Sequence, residues 1–159
     1  MERMILKLDL NNIYNMLDSS NDIITQSKGV ELAINTGYIS EFILPMLPLY
    51  NKNIWENCAK IIASKSDSEL EPYIIQIFEW LQDLTWPGTF LVIERLKKYD
   101  GHILKNPYSN TIKEILNIDQ YSEWINNLSK LIENKELAEG LDKDLYNIVY
   151  EKYMNFWMN

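Results

Sequence analysis

The chain has 159 residues, 47% hydrophobic and 24% charged, the makeup of a globular domain that buries its own core. Fifteen Lys and Arg stand against 23 Asp and Glu, a formal charge of −8, and only Arg3 and Arg95 are arginines. Such a balance argues against a nucleic-acid binder, which needs a basic stripe to neutralise phosphates, and against docking on an anionic membrane.

The N-terminal stretch MERMILKLDLNN carries charge at Glu2, Lys7 and Asp9, so neither a signal peptide nor a spanning helix is expected there. No apolar run approaches the roughly 20 residues that cross a bilayer. Cys58 is the only cysteine, which fits a reducing compartment, and a cytoplasmic location is expected.

In chain order, Leu10, Ile13, Tyr14 and Leu17 share one helical face. Asn21 and Asp22 offer an N-cap for a helix through Ile24 and Leu32, with Gly37 as its stop. The stretch YISEFILPMLPLY predicts a short helix that ends or kinks at Pro45 and Pro48.

From residue 51 three segments align on Trp55, Trp86 and Trp124. Four residues on stand Ala59, Phe90 and Leu128, and seven on stand Ile62, Ile93 and Leu131, which predicts three Trp-led amphipathic helices. Asn51 and Asn53, Asp83 and Thr85, and Asp119 and Ser122 supply turn and cap residues ahead of them. Pro87 suits a first helical turn. Each Trp helix is followed by a second. The first, capped by Asp67 or Ser68, buries Leu70, Ile74, Ile77, Phe78 and Leu81. The second is interrupted at Pro107 and buries Ile112, Ile115 and Leu116, and the third runs through Leu141, Leu145, Ile148 and Val149. The tryptophans are 31 and 38 residues apart, so an insertion is expected near Asn106–Asn110. The expected fold is all-α, one domain over 1–159, an α-α superhelix of helical hairpins with units near 51–83, 84–118 and 119–155. An irregular orthogonal bundle is the rival arrangement.

The segment EPYIIQIFEWLQDLTWPG resembles the signature stretch of an uncharacterised bacterial family of small HEAT-like helical proteins. Their Leu-Gln-Asp-x-x-Trp-Pro core is matched by Leu81, Gln82, Asp83, Trp86 and Pro87, and the similarity continues to Asp119 and Trp124. The resemblance implies a HEAT-like superhelix and carries no activity with it.

Glu79, Trp80, Asp83 and Trp86 are the candidate binding residues, an acid group among indoles that suits a cationic or aromatic ligand. Their structural reading is an Asx-turn or cap at Asp83 and the start of a buried face at Trp86. His102 reads as a surface or cap residue and Cys58 as an inert buried thiol. The acid pairs Glu69 with Glu71 and Glu136 with Glu139 are the chance pairs of an acidic surface. No glycine-rich phosphate loop, His-x-x-His or Cys-x-x-Cys spacing is present, so no catalytic residue, metal or cofactor is expected. A DNA-glycosylase-like reading of tryptophans and aspartates in a helical cleft fails for want of a cationic lining. The expected function is a non-catalytic interaction scaffold for a basic protein partner, of immunity type in one version, with no nucleic acid and no membrane. The alternative is an enzyme or small-ligand binder at Glu79, Asp83 and Trp86. The tail stripe Tyr146, Val149, Tyr150, Tyr153 and Trp157 is expected to close the domain as a cap.

Overall fold

The computed structural model describes residues 2–43 and 52–159, and every described element is helical. Helices α1 (Glu2–Leu17) and α2 (Ile23–Ile34) pack on one another, and α2 packs on α3 (Trp55–Ser64). Ile13, Tyr14 and Leu17 are buried, as their spacing predicts. Asp22 caps α2 by accepting the Thr25 N–H at 2.8 Å. The helix stops at Ile34, short of Gly37, where Thr36 Oγ1 donates to the Ala33 carbonyl. A 3-10 turn spans Ser40–Phe42, while Pro45, Pro48 and Asn51 lie outside the described residues.

Beyond residue 52 the chain forms three successive pairs of helical segments. Their first helices are α3, α6 (Thr89–Lys97) and α8 (Glu123–Leu128), the last prolonged by a 3-10 segment, Ser129–Glu133. The second segment of the first pair is broken into α4 (Asp67–Leu70), a 3-10 turn, α5 (Ile74–Glu79) and a closing turn at Trp80–Gln82. That of the second is α7 (Gly101–Ile118), and the third has α9 (Lys135–Gly140) followed by α10 (Lys143–Trp157). Helix α3 packs on α6, α5 on α7 and α7 on α9. First helices begin at Trp55, Thr89 and Glu123, and second helices at Asp67, Gly101 and Lys135, a step of 34 residues every time. The residues before the second helices, Ser66, Asp100 and Asn134, are all side-chain N-caps on the same step.

This regular step corrects the 31- and 38-residue spacing of the tryptophans. Trp55 opens α3 and Trp124 lies in the first turn of α8, but Trp86 sits in the turn ahead of α6. Pro87 is therefore outside the helix, and Gly88, at φ 86°, is the N-cap. Counting from Trp86 misplaces Phe90, which is 56% exposed, whereas Ile93 is buried like Ala59, Ile62, Leu128 and Leu131. There is no insertion at Asn106–Asn110, because α7 runs unbroken through Pro107. An interior proline costs about 3 kcal/mol. Burial of Leu104, Tyr108, Ile112 and Ile115 along the same face outweighs it. The cap of α4 is Ser66, one residue ahead of the expected Asp67 or Ser68. It forms a reciprocal capping box with Glu69, which explains that acid without chemistry. On the last helix Leu145 and Val149 are buried, while Ile148 and Tyr150 face out.

Polar side chains between successive helix pairs reach back to main-chain carbonyls. Lys65, only 5% exposed, donates to the Ile34 and Thr36 carbonyls at 3.0 and 3.1 Å. The Lys65 carbonyl accepts from Arg95 Nη2 at 2.8 Å, and the Tyr99 carbonyl, 34 residues on, accepts from Asn134 Nδ2 at 2.7 Å. Arg95 also pairs with Asp67 at 2.6 Å. Each helix pair is thus tied to the helices before it, and buried carbonyls that helix ends leave open are satisfied.

Candidate functional site

Trp80, in the closing turn of the first helix pair, is 0% exposed. Its indole N–H donates to the Pro87 carbonyl at 3.1 Å, which folds the Asp83–Gly88 loop over the ring. Asp83 Oδ1 accepts from the Thr85 N–H at 2.8 Å and from Thr85 Oγ1 at 2.7 Å, an Asx-turn. Those two bonds from Thr85 hold its carboxyl below the ordinary aspartate range. The Asp83 carbonyl accepts from the Trp86 N–H and from Thr89 Oγ1. Within Leu-Gln-Asp-x-x-Trp-Pro, the Asp83 side chain and carbonyl and the Trp86 N–H are therefore spent on building the loop. Glu79 is half-buried and burial raises its carboxyl above the usual glutamate range.

Trp86 is half-buried, edge-on to Trp55 at 5.5 Å, and Trp55 is edge-on to Trp80 at 6.4 Å, so three indoles form one chain. The Lys52 ammonium lies 5.6 Å from the Trp55 ring centroid and 6.0 Å from that of Trp86, within cation–π range of both. The Trp55 indole N–H is buried with no hydrogen-bond partner. Gly88 makes this packing possible, since a Cβ there would stand 2.5 Å from Ala59 Cβ and 3.0 Å from the Trp55 carbonyl.

Of the four candidate residues, Trp80 and Asp83 face inward to the loop, and Trp86 reaches a groove. This groove, of about 420 Å³, is walled by Leu84, Trp86, Pro87 and Phe90, with Glu56 and Glu94 on its lining. Neither Glu79 nor Asp83 lines it. Sequence reasoning passed over Glu56, Phe90 and Glu94 as site residues, and also the buried polar residues Asn57, Lys65, Asn127 and Asn134. The signal for the latter was a polar residue inside an apolar stripe. Asn57 caps the Leu17 carbonyl and Asn127 that of Leu81.

Cys58 is buried and desolvation pushes its thiol up to about 12, so it is not a nucleophile at neutral pH. His102 is exposed, with Nε2 3.4 Å from Glu136. Among the described residues no group of three His, Cys, Asp or Glu is arranged to hold a metal, and no helix is long and apolar enough to cross a membrane.

The family described as a domain of unknown function, DUF5071, matches residues 51–154, from ahead of α3 into α10. The chain belongs to that family. The motif loop at Leu81–Pro87 and the caps at Ser66, Asp100 and Asn134 all fall within the family region. No curated protein and no solved structure matches the chain significantly.

Proposed function

We propose that this DUF5071 chain is a non-catalytic interaction scaffold, a HEAT-like superhelix of stacked hairpins whose acidic surface binds a basic protein. The 34-residue step supports the stacked arrangement, being that of a helix–turn–helix repeat shorter than the about 40 residues usual for HEAT units. Stacked hairpins offer extended surfaces to partners, and a charge of −8 favours fast, steered encounter with a cationic one. One observation carries the reading: the motif's acid, Asp83, and the neighbouring Trp80 indole are bonded within the loop. Asp83 is bonded to Thr85 and Trp80 to Pro87, so the conspicuous acid-and-indole group serves the loop. The enzyme or ligand-site alternative at Glu79, Asp83 and Trp86 loses its motive with that assignment. A cytoplasmic basic toxin is the partner class that an immunity role would require.

Affinity capture from the native host at low salt tests the proposal. The expected result is a protein of net positive charge that elutes as salt rises. Capture of no protein, or of one that elutes only with denaturant and carries net negative charge, contradicts it.

A further inference from the structure

The groove beside Trp86 has the chemistry of a receptor for one kind of side chain. Its wall is apolar and aromatic, from Leu84, Trp86, Pro87 and Phe90, and both charged residues on it are carboxylates, Glu56 and Glu94. Glu56 is exposed and has no counter-ion among the described residues, whereas Glu94 shares the Lys97 ammonium with Glu133. Phe90 is 56% exposed in the first turn of α6, although Val92 and Ile93 beside it are buried. Phe90 continues the apolar wall of Leu84, Trp86 and Pro87, and it is such a contiguous patch, rather than one exposed ring, that marks a contact surface. One ring of the wall already accepts a cation, since the chain's own Lys52 ammonium lies 6.0 Å from the Trp86 centroid. Carboxylates at the rim repel an anionic lipid or nucleic-acid surface and leave a cation as the complementary group.

We propose that this groove seats a lysine- or arginine-bearing segment of the basic protein partner, its aliphatic stem over Trp86 and Phe90 and its cation on Glu56 and Glu94. Long cationic side chains are suited to this because stem and head bury separately, the one on apolar surface and the other at a carboxylate. The proposal deepens the interaction reading above and rests on it.

The experiment titrates the isotopically labelled protein with an acetylated, amidated hexapeptide of alternating Leu and Lys, followed by amide and indole NMR shifts. A Leu-Glu hexapeptide serves as control. The expected result is saturable movement of the Trp86 indole and of the Glu56, Phe90 and Glu94 amides with the lysine peptide alone. Affinity should fall about tenfold in Phe90→Ser and in Glu56→Gln/Glu94→Gln. These side chains lie at the surface, so the remaining spectrum of each variant should stay superimposable on the parent's. Shifts confined to another face, or equal binding of the Leu-Glu peptide, would overturn the groove assignment. So would undiminished binding of a captured host partner to the variants, which would leave the interaction reading standing. No saturable binding of the lysine peptide at low salt, together with no captured partner, would remove both.

Discussion

At the scale of single residues, two buried tryptophans do opposite things with the same indole. Trp80 donates to the Pro87 carbonyl, whereas the Trp55 N–H is buried without a partner. Replacement by Phe removes a similar volume at each site, but only at position 80 does it strand a carbonyl. Trp80→Phe should therefore cost about 1–2 kcal/mol more than Trp55→Phe, measured by urea unfolding. Equal losses would mean that the Pro87 bond contributes nothing. Gly88→Ala faces both a left-handed backbone, at φ 86°, and a 2.5 Å approach to Ala59 Cβ. It should lower stability by about 2–4 kcal/mol, the sum of left-handed strain and overpacking. Cys58, with its thiol raised to about 12 by burial, should react with a disulfide reagent at pH 8 only after unfolding. Rapid labelling of the folded chain would show that the α3 packing opens readily.

Among elements, the last helix pair is held by a charge cluster. Glu133 accepts from Lys130 at 2.6 Å and from the Tyr153 hydroxyl at 2.9 Å, and pairs with Lys97 of α6 at 2.9 Å. Burial alone would raise its carboxyl, but bonds from Lys130, Lys97 and Tyr153 outweigh it and hold it at about 2. A depressed acid stabilises the fold above its unfolded value near 4.5 and loses that contribution as pH falls toward 2. Stability should thus drop more steeply between those values in the parent than in Glu133→Gln, by thermal unfolding across pH. Parallel curves would show that the cluster is not coupled to folding.

Much of this architecture can be read from the chain, and the misreadings have a common physical origin. Tryptophan is conspicuous by size, so aligning Trp55, Trp86 and Trp124 looks natural. Yet Trp86 packs from a turn, and Pro87 with Gly88 delays its helix to Thr89. That displacement turned Phe90 outward and made the spacing look uneven. The caps Ser66, Asp100 and Asn134 keep the true step, because a helix start needs a side-chain acceptor whatever large residue lies nearby. Pro107 shows the reverse error, in which a local penalty of about 3 kcal/mol is overruled by burial along the whole of α7. The polar ties between helix pairs could not be read at all. Lys65, Arg95 and Asn134 meet carbonyls about 30 residues away, a pairing that exists only once the helices have packed together. At the candidate site, the Asx-turn at Asp83 follows from local spacing, but the groove of Glu56, Phe90 and Glu94 joins α3 to α6 and has no linear signature.

For the whole molecule, 23 acids stand against 15 bases, and not every base is free for a partner. Lys65 and Arg95 are spent on carbonyls and on Asp67, so they offer little charge to a partner. Membership of DUF5071 covers residues 51–154, the region that also holds the groove and the motif loop. The measurement that tests the account most directly is the affinity of the captured host partner for the parent and for Glu56→Gln/Glu94→Gln, from about 50 to 500 mM salt. The account predicts binding that weakens steeply with salt in the parent, and weaker, flatter binding in the variant. Affinity that ignores both salt and the two carboxylates would contradict it.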